Sequence, residues 1–200
     1  MMTLVLASTS PYRKVLLDRL GLQFETAAPK TDETALANET PEALVTRLAE
    51  AKARAIAPQY SDALVIGSDQ VAVLDGAILG KPGDHETAAQ QLRNASGREV
   101  KFLTGLCLLN TRTQQAHVKL VPFSVVFRPL SEAQIQYYLQ QEKPYDCAGS
   151  FKSEGLGISL FERMDGDDPN ALIGLPLIEL IRLLSSEGVD VLSSQTDTSD

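Results

Sequence analysis

Several side chains stand where the surrounding pattern calls for a different kind of residue. Asp69 lies between the apolar runs Leu64–Gly67 and Val71–Leu74, at what reads as the end of a buried strand. A carboxylate there needs a partner, a metal or a function, because burying a lone charge is costly. Open α/β sheets bind ligands beyond the carboxyl ends of their strands. Lys52 continues the row Leu44, Leu48, Ile56 on one helix face. Such a lysine either snorkels its ammonium to water or holds it for an anion. Ser8-Thr9-Ser10-Pro11-Tyr12-Arg13 follows an apolar strand and opens a helix. Free N–H groups at a helix start, hydroxyls and a guanidinium together suit a phosphate. Lys81 in Gly80-Lys81-Pro82 and Glu33 in the acidic pair Asp32-Glu33 are weak signals singly. As a set, Arg13, Lys52 and Lys81 with Glu33 and Asp69 are cations and carboxylates without a histidine, which suits metal-assisted phosphoryl chemistry.

Other reactive residues carry less. His85 and His117 lie in polar surroundings and read as surface residues. Cys107, in an apolar run, reads as core, and Cys147 has no histidine near it in sequence. Asp165-Gly166-Asp167-Asp168 lacks the spaced ligands and terminal Glu of an EF-hand, so it reads as a turn. The chain contains no G-x-x-x-x-G-K-S/T, no G-x-G-x-x-G and no G-x-S-x-G.

The elements that must position these groups follow from apolar period and end signals. Leu4–Ala7 reads as a buried strand. Ser10 caps a helix with Pro11 in its first turn, which Gly21 stops. Gln23–Ala27 reads as a strand and residues 28–39 as a polar loop. A helix begins at Thr40-Pro41. Asp75-Gly76 turns a hairpin between Val71–Leu74 and Ala77–Leu79. Asp84 caps a helix to about Ala95, and Val100–Asn110 and His117–Phe127 are long strands. Ser131 caps another helix, Leu156–Phe161 reads as a strand, and Pro176 begins a last helix through Leu184. Alternating strands and helices with hairpins in the middle give an α/β class, a mixed twisted sheet with flanking helices. The expected organisation is a single domain over residues 1–192, with the hairpin-rich middle a candidate second lobe beside a cleft. A polar, disordered tail is expected over residues 193–200.

Composition narrows the function classes. In 200 residues, Lys and Arg number 18 and Asp and Glu 26, a formal charge of −8. That balance argues against stable nucleic-acid binding through an overall basic field and against a polybasic membrane anchor. Two cysteines make no disulfide scaffold and no paired zinc motif, and fit a reducing cytoplasm. The apolar segment at the amino terminus is too short for a signal peptide or a membrane span.

Read in order, Ala7-Ser8-Thr9-Ser10-Pro11-Tyr12-Arg13, Asp32-Glu33, Lys52-Ala53, Ser68-Asp69-Gln70, Gly80-Lys81-Pro82, Ala148-Gly149-Ser150-Phe151-Lys152-Ser153-Glu154-Gly155 and Asn170…Gly174-Leu175-Pro176 resemble the motifs of the Maf family. The resemblance runs from about Leu4 to Val191. It implies a fold related to the inosine triphosphate pyrophosphatases and hydrolysis of a nucleoside triphosphate to monophosphate and diphosphate with a divalent metal, Mg or Mn. Asp69 matches the family's catalytic acid. Ser8, Ser10, Arg13, Lys52 and Lys81 match its phosphate-binding positions, and Glu33 a carboxylate that helps hold the metal. Whether Asp69 takes the proton of the attacking water or chiefly holds the metal is left open by the sequence. A homodimer is compatible with the resemblance.

Tyr12, Gln70 and Glu154 stand where the pyrimidine-specific branch resembles Arg, Thr and Gln. The set is similar to the branch that hydrolyses 7-methyl-GTP. A 7-methylated guanine is cationic, so Tyr12 stacking on it is a cation–π contact of ~1–2 kcal/mol when desolvated. Glu154 suits the base's N1–H and exocyclic amine, and Gln70 another base-edge hydrogen bond. Two alternatives stand beside this one: a dTTP/UTP pyrophosphatase, and a nucleotide-binding regulator of septum formation without useful hydrolysis.

Overall fold

The computed structural model describes residues 2–193. The expected disordered tail, from residue 194 onward, lies outside the described residues. Seven strands form one mixed sheet: β1 (Thr3–Ala7), β2 (Glu25–Ala27), β3 (Ala63–Leu74), β4 (Ala77–Leu79), β5 (Glu99–Asn110), β6 (Ala116–Phe127) and β7 (Phe161–Asp165). Their order is β2-β1-β3-β5-β6-β7, with β4 on β3. β1 pairs parallel with β2 and β3, and the remaining pairs are antiparallel. The helices are α1 (Pro11–Asp18), α2 (Pro41–Ile56), α3 (His85–Ala95), α4 (Glu132–Glu142), α5 (Pro169–Ile173) and α6 (Leu177–Ser186).

The end signals work as chemistry requires. The hydroxyls of Ser10 and Thr40 accept from the N–H of Arg13 and Ala43, and the Asp84 carboxylate from Thr87. Ser131 and Gln134 form a reciprocal capping box at α4. Each satisfies an N–H that the helix itself leaves unpaired.

One expectation is corrected at the point that matters most. The stretches Leu64–Gly67 and Val71–Leu74 are one strand, so Asp69 lies mid-strand rather than at a strand end. β5 pairs with β3 without interruption from Leu64 to Val73, and this ladder carries the polar triplet Ser68-Asp69-Gln70 through as strand. On its other edge β3 pairs with β1 only up to Ile66 and with β4 only from Ala72. Among the described residues, the edge from Gly67 to Val71 has no strand partner. That gap lies just past the carboxyl end of β1, the place where a parallel pair presents a ligand.

Three apolar clusters surround the long strands. Leu4, Leu6, Leu64, Ile66, Leu106 and Leu108 pack with α1 and α6 on one face. Val5, Val65, Cys107 and Leu109 pack with Ala49, Ala53 and Ile56 of α2 on the other. The far ends of β3, β5 and β6 join α3, α4, Phe151 and Phe161 in the third. The expected strand Leu156–Phe161 is instead a 3-10 turn over Leu156–Leu160, and the strand begins at Phe161. α5 went unread in the sequence because it is only five residues long. Asp168, 2 % exposed, caps it and also accepts from the N–H of Ile178, which ties α5 to α6.

Candidate active site

A cleft of about 530 Å³ opens at the gap in the β3 edge. Its wall contains Ser8, Ser10, Tyr12, Arg13, Glu33, Lys52, Asp69, Gln70, Lys81 and Glu154. All ten candidate residues from the sequence therefore meet in one place, though they come from the turn between β1 and α1, from α1, two further loops, α2, β3 and the turn after Phe151.

Lys52 and Asp69 form its centre. Leu44, Leu48 and Lys52 are successive members of one α2 row, and all three are buried in the cleft wall. Lys52 is therefore not a snorkelling surface lysine. Its Nζ lies 2.6 Å from Asp69 Oδ1 and 2.7 Å from Glu33 Oε1. The hydrogen bond from Lys52 is the largest cause holding the Glu33 carboxyl below its ordinary range, with Lys81 and Arg13 adding to it. Gly67 and Gly105 make the contact geometrically attainable: a Cβ on either would collide with the backbone of α2, at Ala49 and Val45 respectively. The helix thus lies directly on the sheet and delivers Lys52 to Asp69.

Arg13 is set by α1 and by a distant turn. Its Nε donates to the Gly174 carbonyl at 2.8 Å. Burial pulls its guanidinium pKa down, against the opposing pull of Asp69 and Glu33, yet an arginine stays charged in proteins. Ser8 Oγ accepts from the Ser10 N–H at 3.1 Å, so the two hydroxyls stand together at the α1 start. Lys81 is exposed at the cleft lip.

The charges of the cleft sort into two groups. Arg13, Lys52, Lys81, Glu33 and Asp69 act on one another. Tyr12 belongs to a second group, with Asp146, Cys147 and Lys152; burial is the main cause raising its hydroxyl pKa. Glu154 acts on Cys147 and so joins this group. Gln70 points to the opposite sheet face from Asp69, as strand alternation requires, toward α5 and the Gly174 turn. Its amide nitrogen is already committed, 2.5 Å from the Ala171 carbonyl and 2.9 Å from Thr104 Oγ1. What Gln70 offers the cleft is its carbonyl oxygen.

Other residues fall differently from their sequence reading. Asp146, Cys147 and Phe151 line the cleft but carried no usable spacing signal. Burial first, then Asp146, pushes the Cys147 thiol up to about 12, so it is no nucleophile at neutral pH. Asp32 turns back on the Thr34 N–H rather than facing the cleft. The histidines are not bare surface residues. His85 bridges Tyr145 and Gln136, and His117 contacts Glu187, outside the cleft in both cases. Among the described residues no group of three His, Cys, Asp or Glu could hold a metal. Asp69 and Glu33 both converge on the Lys52 ammonium, and their carboxylate oxygens are donors of the hard class that suits Mg²⁺ or Mn²⁺.

The chain is 62 % identical over 190 residues to the 7-methyl-GTP pyrophosphatase of Nitrosococcus oceani, covering 95 % of this chain and 96 % of that protein. It is 57 % identical over 188 residues to the 7-methyl-GTP pyrophosphatase of Pseudomonas aeruginosa, covering 94 % and 98 %. The structure of the Staphylococcus aureus Ham1 protein superposes with a TM-score of 0.53 at 15 % identity, over 92 % of this chain and 99 % of that one; that likeness is one of fold. The Maf-like protein family model matches residues 3–187, and the chain belongs to the Maf family.

Proposed function

We propose that this protein hydrolyses 7-methyl-GTP to 7-methyl-GMP and diphosphate. The observation that carries the reading is the division of one cleft into two groups, a cation-rich one around Asp69 and an aromatic and acidic one around Tyr12 and Glu154. The high identity to relatives bearing that activity's name supports it.

In this reading Ser8, Ser10, Arg13 and Lys81 hold the triphosphate, with N–H groups of the α1 start contributing. Water attacks the α-phosphorus, the bond from that phosphorus to the bridging oxygen breaks, and diphosphate leaves. Negative charge spreads over the phosphate oxygens, where Arg13 and Lys52 are already fixed to meet it. Asp69 accepts the proton of the attacking water, and Lys52 fixes the carboxylate in place. Asp69 and Glu33 are the residues that would hold a divalent cation, which when bound would supply neutralisation of phosphate charge and a more acidic water. Tyr12 stacks on the cationic base and the Glu154 carboxylate pairs with its edge. Glu154 and Asp146 outnumber the one cation of this group, Lys152, and their net negative charge favours the methylated base over the neutral one.

Further, we propose a cytoplasmic enzyme acting on a small-molecule nucleotide, since both cysteines are free thiols. No described helix is long and apolar enough to cross a membrane.

Diphosphate release from 7-methyl-GTP, GTP, dTTP, UTP and CTP with Mg²⁺ or Mn²⁺, beside Asp69→Asn, tests the reading. Preference for 7-methyl-GTP, lost in the variant, is the expected result. Preference for dTTP or UTP overturns the base assignment. Binding without release from any nucleotide overturns the hydrolase.

A further inference from the structure

Glu154 occupies a tight turn, residues 153–155, closed by the Gly155 N–H on the Lys152 carbonyl. Both feet of that turn stand on α4. At one foot the Lys152 N–H donates to the hydroxyl of Tyr138, a buried α4 residue, at 3.0 Å. At the other, the Leu156 N–H donates to Glu142 Oε1 at 2.6 Å. Glu142 acts a second time: its backbone carbonyl accepts from Lys152 Nζ at 3.3 Å. The same ammonium lies within reach of the Tyr12 hydroxyl. A Cβ at position 155 would come 2.6 Å from Glu142 Oε1, so glycine there lets the carboxylate seat against the turn. Directly after Glu142 the helix ends, because Lys143 takes a left-handed backbone with φ of 45°. Glu142 is thus the last residue of α4 and faces the turn.

We infer that the Glu142 side chain is a positioning group for base selection, fixing through Leu156 the turn that carries Glu154. The inference rests on the proposed role of Glu154 at the base. Glu142 does not line the cleft and touches no reacting atom, so its effect is on where the selecting carboxylate stands. Discrimination between two bases by a hydrogen-bonding carboxylate depends on its being held where it meets the base edge, so a turn that drifts weakens the preference.

The test compares kcat/KM for 7-methyl-GTP and for GTP in Glu142→Ala, Glu142→Gln and Glu154→Gln, with KM and kcat resolved separately. Glu154→Gln is expected to lower the 7-methyl-GTP to GTP ratio about tenfold or more. Glu142→Ala is expected to lower that ratio about tenfold, through KM, with kcat nearly unchanged. Glu142→Gln keeps an oxygen acceptor for the Leu156 N–H and is expected to restore most of the ratio. If Glu142→Ala does not fold, Glu142→Asp, whose carboxylate falls short of Leu156 by one methylene, takes its place. A full effect of Glu154→Gln with an unmoved ratio in the Glu142 variants overturns this inference and leaves the base reading standing. Equal losses for Glu142→Gln and Glu142→Ala overturn it in favour of a charge effect. An unmoved ratio in Glu154→Gln overturns the base reading itself.

Discussion

Lys52 Nζ and Asp69 Oδ1 stand 2.6 Å apart, both buried, at the one stretch where the β3 edge has lost β1 and not yet gained β4. Glu33 reaches the same ammonium from a loop and stays largely exposed. The two halves of the pair therefore differ in what their removal leaves behind. Lys52→Met leaves the Asp69 carboxylate without its hydrogen-bonded cation and with Arg13 as its remaining charge partner, and is expected to destabilise the fold by about 2–3 kcal/mol. Asp69→Asn leaves Lys52 paired with Glu33 and is expected to cost no more than about 1 kcal/mol, with turnover reduced about a thousandfold. Urea melts and diphosphate release measured on both variants check this. Equal destabilisation would overturn the asymmetry.

Gly67 is as important to that pair as either charge. Its neighbour on α2 is the Ala49 backbone, with no room between them for a methyl group. Gly67→Ala is expected to lift α2 from β3, cost about 2–3 kcal/mol by overpacking, and lower kcat with it because Lys52 is carried away from Asp69. Gly105→Ala, against Val45, should destabilise comparably. A variant at position 67 with wild-type stability would show that the helix has slack.

Gln70 separates from the other two base-group candidates by its bonds. It holds the Ala171 and Leu172 carbonyls, and so fastens α5 and the Gly174 turn on which Arg13 rests. Gln70→Thr is expected to lower stability by about 1 kcal/mol, the net worth of a side-chain hydrogen bond, because the Ala171 carbonyl keeps Thr104 Oγ1 and the Gly174 N–H as donors while the Leu172 carbonyl loses its side-chain donor. Tyr12→Arg and Glu154→Gln, which free no buried partner, should leave the melting temperature within a degree or two. Differential scanning fluorimetry on the three single variants distinguishes them. The triple swap toward Arg, Thr and Gln should then shift preference away from 7-methyl-GTP.

The sequence made the chemistry legible where a charge interrupted an apolar pattern. Lys52 in a leucine row and Asp69 between valine-rich runs were visible because burial of either alone is unaffordable. Capping residues marked α1, α2, α3 and α4 because an unpaired N–H at a helix start must find an acceptor. The continuity of β3 was not legible, because nothing local says that β5 carries Ser68-Asp69-Gln70 through as strand. α5 has too few residues to show a period, and the 3-10 turn at Leu156–Leu160 has the apolar content of a strand. Asp146 and Glu142 were silent for a related reason: an acidic residue beside a loop looks solvated until its tertiary partner is known.

Cys147 lines the cleft wall, yet its thiol is pushed up to about 12 by burial and by Asp146. Cys107, buried under α2, is pushed up to about 12 as well. Native protein at pH 8 is expected to react with a thiol-specific disulfide reagent far more slowly than free cysteine, whose pKa is about 8.5. Both thiols should titrate at once after unfolding in guanidinium. Cys147→Ser should retain turnover within about twofold, because the thiolate takes no part. Rapid native labelling coupled to inactivation would reverse that assignment.

Arg47 holds the loop that carries Glu33. Its Nε and Nη2 grip Glu39 at 2.6 and 2.8 Å, and Nη2 also donates to the Thr34 carbonyl at 3.1 Å, next to Glu33. The hydrogen bonds from Arg47 bring the Glu39 carboxyl down to about 2. A carboxyl depressed in the folded state stabilises above its ordinary pKa, and that contribution is lost as pH falls through the depressed value. The loop clamp should therefore survive acidification to about pH 3, well below the usual carboxylate range. Arg47→Leu is expected to raise Glu39 toward that range, with the Leu36 N–H still holding it partly down, read as a carboxyl carbon shift in an NMR titration. With the loop released, Glu33 should be held less well, and the Mg²⁺ concentration for half-maximal turnover should rise several-fold while kcat at saturating metal is largely kept. A Glu39 titration that moves without any change in metal requirement would show that Glu33 is placed by Lys52 alone.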